Sequence, residues 1–201
     1  MRRTFLAGFL GAVAMFMWMF IAHVITPLGM TGIKEVPNEQ GVLTAMSSTI
    51  GATPGLYMYP ALGVSPSAPM AERNAAMKEY EKKLASTPSG ILLYKPAGAK
   101  GMEGRQLVIE FLKELVMSLI LVSLLAQTRI TSFTGKVGFI TAAGVVAAIS
   151  TNISYWNWFG FPTDYTMAYM TIDLVGCICV GIVAGLVMKS SAQSMSRSAA
   201  A

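Results

Sequence analysis

The sequence predicts an all-α membrane protein, with four transmembrane helices and a small mixed, mostly helical extracytoplasmic domain between helices 1 and 2. Three observations predict it. Hydrophobic residues make up 54% of the 201 residues and charged residues only 12%, about half the charged share of an ordinary soluble domain. The apolar residues gather in runs of about 20, the length that crosses roughly 30 Å of hydrocarbon. The net charge of +5 lies at segment ends and in one mixed-charge loop. No dense basic stripe or recognition motif forms, so nucleic acid is not an expected partner, whereas the lipid bilayer is.

The first span is read at residues 4–26, TFLAGFLGAVAMFMWMFIAHVIT, and stops at Pro27, which lacks the amide that a continuing helix needs. Its start, MRRTFLAG, resembles a secretion signal. The apolar run outlasts a typical signal core and HVITPLG offers no small-x-small cleavage site, so an uncleaved anchor is expected. The second span, 106–127, reaches spanning length only by including Glu110, Lys113 and Glu114. The third covers 137–155 and the fourth 165–188. The chain then divides into an anchor (1–26), a loop domain (27–105), a membrane region (106–188) and a tail (189–201).

Direction follows from lysine and arginine in the short segments. Arg2 and Arg3 precede span 1, Arg129 and Lys136 separate spans 2 and 3, and Lys189 and Arg197 follow span 4, with no acidic residue among them. Both termini are therefore expected in the cytoplasm and the long loop outside.

That loop is far longer than an ordinary connection and is expected to form a small domain or lid. PNEQGVLTAMSSTIG fits a helix started by Asn38, and MAERNAAMKEYEKKLAS a strong one with Met70, Met77, Tyr80 and Leu84 on one face. Glu79 and Lys83 are spaced for an (i, i+4) pair. Pro54, Pro60, Pro66 and Pro69 are expected to exclude regular structure from most of the stretch between. GILLYKP reads as a short strand or extended segment. With few bulky apolar residues and no cysteine, such a unit has little core of its own. It is expected to rest on the membrane region, a second copy, or another membrane or periplasmic protein.

Polar residues inside the spans are the candidates for function. A carboxylate within hydrocarbon costs roughly 2.5–3.5 kcal/mol even on insertion scales, so Asp173 needs a partner or a task. Counted at about 1.5 Å per residue, Asp173 falls near the midplane. Glu110, Lys113 and Glu114, His23 and Asn152 fall in the outer half. Lys113 or His23 is the expected partner of Asp173. These six residues fit either a structural cluster that fixes helix register or an outward-facing pocket for a proton, cation or small polar ligand, with Asp173 at its floor.

YWNWFGFPTDY supplies Tyr155, Trp156, Trp158, Phe159 and Phe161 as an aromatic belt at the outer interface, with Thr163 or Asp164 as a cap for the next helix. Gly181 and Gly185 stand four apart, as do Gly144 and Ala148, a spacing that lets helices pack closely. Cys177 and Cys179 point to different sides of a helix, so neither a disulfide nor a shared metal is expected. No nucleophile–base pair, metal constellation or phosphate loop is read, and neither catalysis nor a cofactor is expected.

Several stretches taken together, Trp18 with Pro27, VPNEQGVL, PGLYMYP, GILLYKP and YWNWFGFPTDYTMAYMTIDLVG, resemble a family of small bacterial four-span membrane proteins. The exit from span 1, AHVITPLG, lacks that pattern's second tryptophan and following histidine. The resemblance implies the bacterial cytoplasmic (inner) membrane and four spans, and no substrate. The expected role is a non-catalytic accessory or scaffolding subunit. The alternative is a small proton-, ion- or solute-translocating protein.

Overall fold

A computed structural model describes residues 1–188, so the expected tail, with Lys189 and Arg197, lies outside the described residues. In chain order the elements are α1 (Arg2–Phe20), a π-helical turn (Ile21–Ile25), a 3-10 turn (Pro27–Met30), α2 (Glu39–Ile50), β1 (Gly55–Tyr59), α3 (Met70–Ser86) and β2 (Gly90–Tyr94). They continue with α4 (Gly104–Ala126), α5 (Phe133–Ala148), a second π-helical turn (Ile149–Ile153), α6 (Ser154–Phe159) and α7 (Thr163–Val187). The chain forms two compact units, residues 1–33 with 102–188, and Lys34–Gly101.

The first unit is a helix bundle. α7 packs between α1 and α5, and α1 also packs on α4. Val122, Ile140, Ile172 and Val180 are wholly buried at these contacts. Small residues let the axes approach. A Cβ on Gly181 would stand 3.0 Å from the Cα of Val137, and one on Gly144 would stand 2.6 Å from the Cβ of Cys177. A Cβ on Gly185 would press on the Phe133 ring at 2.6 Å, and Ala148 is buried. Side chains also hydrogen-bond to carbonyls of neighbouring helices. Trp18 Nε1 donates to the Ile172 carbonyl (2.9 Å), and Ser118 Oγ to that of Gly8 (2.7 Å). Lys136, expected as a loop cation, is instead buried in the first turn of α5. Its Nζ donates to the Met188 carbonyl just past α7, where a helix presents negative potential.

Among the described residues, three helical stretches are long and apolar enough to cross a membrane: Arg2–Ile25, Phe133–Phe159 and Thr163–Val187. The second runs past the expected end of span 3, through the π turn and α6, until Gly160 terminates it at φ 69, a left-handed conformation that suits glycine. α4 carries too many charges to join them, yet its outward Leu112, Val116, Ile120 and Leu124 recur every four residues. α7 starts at Pro162 without a side-chain cap; Thr163 Oγ1 instead accepts a bond from Trp156 Nε1 (3.1 Å).

In the second unit β1 and β2 pair antiparallel, from Gly55 opposite Tyr94 to Tyr59 opposite Gly90. β1 lies inside the stretch expected to be irregular. Pro54 and Pro60 flank it instead of entering it, and there a missing amide donor breaks no ladder bond. α2 begins after Asn38 as the pattern predicts, but Asn38 adopts φ 53 and its side chain makes no cap bond. Glu79 pairs with Lys82 (2.7 Å), one turn away at i+3, and not with Lys83. The Lys82 ammonium holds the Glu79 carboxyl below its usual value. α2 and α3 bury no residue. Among the described residues of this unit only Tyr94 is buried, its hydroxyl donating to the Gly51 carbonyl (2.7 Å).

Candidate functional site

Two polar groupings stand in the bundle. In the first, Asn152 Nδ2 donates to Asp173 Oδ2 (3.2 Å) and to the Ala148 carbonyl (3.0 Å). Among the described residues Asn152 is the one hydrogen-bond partner of Asp173, in place of the expected Lys113 or His23. Asn152 reaches it from the π turn between α5 and α6. Such turns admit an extra residue and concentrate at functional sites.

The second grouping is on α4. Lys113 Nζ lies 2.6 Å from Glu110 Oε1 and 3.3 Å from Glu114 Oε1. The shorter contact is a hydrogen bond; the longer is an ion pair without hydrogen-bond alignment, so neither Glu114 oxygen accepts one. Glu114 is 0% exposed, whereas Lys113 and Glu110 are partly exposed. The two groupings feel each other, because Asp173 interacts electrostatically with Lys113, His23 and Glu114. Glu110 and Glu114 thus share the Lys113 ammonium, and Asp173 lies in the field of Lys113 and His23.

His23 sits in the other π turn, closed by the Thr26 amide on the Ile21 carbonyl (2.9 Å). Its Nδ1 donates to the Met19 carbonyl (3.0 Å), and its ring meets Tyr169 edge-on at 6.0 Å.

Beside Asp173 and Asn152 opens a pocket of about 370 Å³, within the usual range for small-ligand sites. Tyr155, Phe161, Tyr165 and Tyr169 form much of its wall. Centroid separations are 5.4 Å from Tyr155 to Phe161, 5.3 Å from Phe161 to Tyr165 and 4.4 Å from Tyr165 to Tyr169. Of the six candidate polar residues, the pocket is lined by Asp173 and Asn152; Glu110, Lys113, Glu114 and His23 stand outside its wall. Of the five belt aromatics, Tyr155 and Phe161 line it, while Trp156, Trp158 and Phe159 remain exposed on the surface.

Sequence reasoning missed Tyr165 and Tyr169. Their signal was present, since Tyr165, Tyr169 and Asp173 recur every four residues and so share a face of α7. It also missed Ser118 and the bond from Trp18, whose partners are backbone carbonyls with no sequence signature. No side-chain group of three or more histidine, cysteine or acidic residues suited to a metal occurs among the described residues. No protein-family profile, curated protein or solved structure matches the chain.

Proposed function

We propose that this is a non-catalytic integral protein of the bacterial inner membrane, acting as an accessory or scaffolding subunit that holds a partner through its outer unit. The carrying observation is the Lys34–Gly101 unit, whose own packing buries only Tyr94 among the described residues. A unit of this size without a core has little stability alone, so it is completed by a surface it binds. The apolar face of α3, with Met70, Met77 and Leu84 exposed, is the natural contact. The reading has α4 as a fourth span, favoured by its outward apolar row, with both termini cytoplasmic and the outer unit periplasmic.

The test places a photo-crosslinking amino acid at Met77 or Leu84 in cells. The expected result is one discrete adduct with a second membrane or periplasmic polypeptide, retained at fixed stoichiometry in mild detergent. Adducts confined to the chain's own bundle would overturn the accessory role.

A second reading is favoured by the pocket. A carboxyl at the wall of a ligand-sized opening in an apolar bundle suits a small carrier of protons, ions or solutes. Uptake by proteoliposomes that disappears in Asp173→Asn supports it; leak-free vesicles with no uptake under any imposed gradient reject it.

A further inference from the structure

We infer that the pocket beside Asp173 binds a small organic cation, an ammonium compound whose charge meets the Asp173 carboxylate and whose body lies against Tyr155, Phe161, Tyr165 and Tyr169. The inference deepens the pocket reading and is independent of the accessory role.

Charge argues for a cation. Glu110 and Glu114 share the Lys113 ammonium, which is hydrogen-bonded to Glu110, and Asp173 is offset by Lys113 and His23 only through space, with no hydrogen bond or ion pair to either. Glu114, wholly buried, receives no hydrogen bond and is offset by the Lys113 ammonium at 3.3 Å, an ion pair that leaves its oxygens short of donors at a cost. A positive ligand near Asp173 relieves this excess, whereas an anion adds to it.

The free hydrogen-bonding capacity of the wall points the same way. The Thr166 hydroxyl donates to the Pro162 carbonyl (3.0 Å), and the Asn152 amide is committed to Ala148 and Asp173. Thr151, Tyr155 and Tyr165 add hydroxyls that can accept as well as donate, and Asp173 is the one carboxylate of the wall, which suits a ligand that brings positive charge or N–H groups.

The rings decide which cation. Tyr165 and Tyr169 are stacked at 28°, and Phe161 is tilted 36° from Tyr155 and 52° from Tyr165, making a run of aromatic surfaces along one side. Ring faces carry partial negative charge and attract alkylated ammonium groups. A hard metal ion instead favours six or more oxygen ligands, commonly with several carboxylates, and the wall offers one carboxylate beside neutral amide and hydroxyl oxygens. A cavity of about 370 Å³ fits a compact amine.

The test titrates choline, and separately benzyltrimethylammonium, into the purified full-length protein in mild detergent, reading heat and tyrosine/tryptophan fluorescence. The control is 3,3-dimethylbutan-1-ol, the uncharged analogue of choline. Saturable binding of at least one ammonium probe is expected, with the alcohol binding roughly ten-fold or more weakly than choline if choline is the probe bound. Asp173→Asn is expected to weaken binding by a similar factor, and Tyr165→Leu by several-fold. Equal binding of choline and its analogue, saturable binding of a neutral sugar such as glucose in place of the ammonium probes, or no saturable binding of either ammonium probe would overturn the inference. Should Asp173→Asn fail to fold, the wild-type charge comparison and Tyr165→Leu still decide. Ammonium binding without flux in proteoliposomes would reject the carrier and keep the site. Proton flux without ammonium binding would do the reverse.

Discussion

Glu114 and Lys113 show how a single helix can carry charge into an apolar bundle. Lys113 keeps part of its surface exposed while its ammonium reaches back to two carboxylates, and Glu114 faces inward with no hydrogen bond. Removing the lone cation of this cluster should therefore cost more than removing one of its anions. Lys113→Met is expected to lower stability by about 1–3 kcal/mol, a range reduced for the half-exposed lysine, whereas Glu114→Gln is expected to stay within about 1 kcal/mol of wild type or above it. Thermal melting in detergent checks this, and the opposite order would sink the view that the cluster lacks positive charge. Asp173 was legible from sequence because a lone carboxylate in an apolar run has few innocent explanations. Its tie to Asn152 was not, since depth counted along straight α-helices is blind to the π turn that carries Asn152.

Among the elements, α7 organises the bundle through what its residues omit. Gly181 faces the backbone of Val137, which cannot rotate away as a side chain would. Gly181→Ala is expected to lose about 1–3 kcal/mol by overpacking. Gly138, with open space where its Cβ would be, supplies the contrast. Gly138→Ala is expected to be neutral or to gain about 0.5–1 kcal/mol from helix propensity. Melting curves of the two variants in one detergent make the comparison, and equal losses would refute close α5–α7 packing as the cause. Helix positions were legible from apolar run length, to within a few residues at most ends. β1 was not, because prolines at a strand's two borders and prolines that abolish a strand look alike in sequence.

For the whole molecule, the uneven spread of arginine and lysine makes a directional statement that labelling can test. In a Cys177→Ala/Cys179→Ala background, Ser65→Cys is expected to react with a membrane-impermeant maleimide in cells whose outer membrane alone is opened. Thr131→Cys is expected to react only after the inner membrane is breached. Reaction of both positions in the first condition would invalidate the four-span path, because the segment between α4 and α5 would then lie outside. Composition made the apolar class plain, but the charges that keep α4 from the apolar spans include Lys113 and Glu114, the same two that act through space on Asp173.

The two π turns bear on how such a site arises. An α-helix that accepts one additional residue without breaking closes that turn with an i→i+5 bond, as the Thr26 amide does on Ile21. A regular α-helix over the same stretch would be one residue shorter. In it, residues beyond the inserted position would be turned by about 100° about the axis, and Asn152 would address a different neighbour. The length of this helix, as much as the identity of residue 152, therefore sets which neighbour the amide meets.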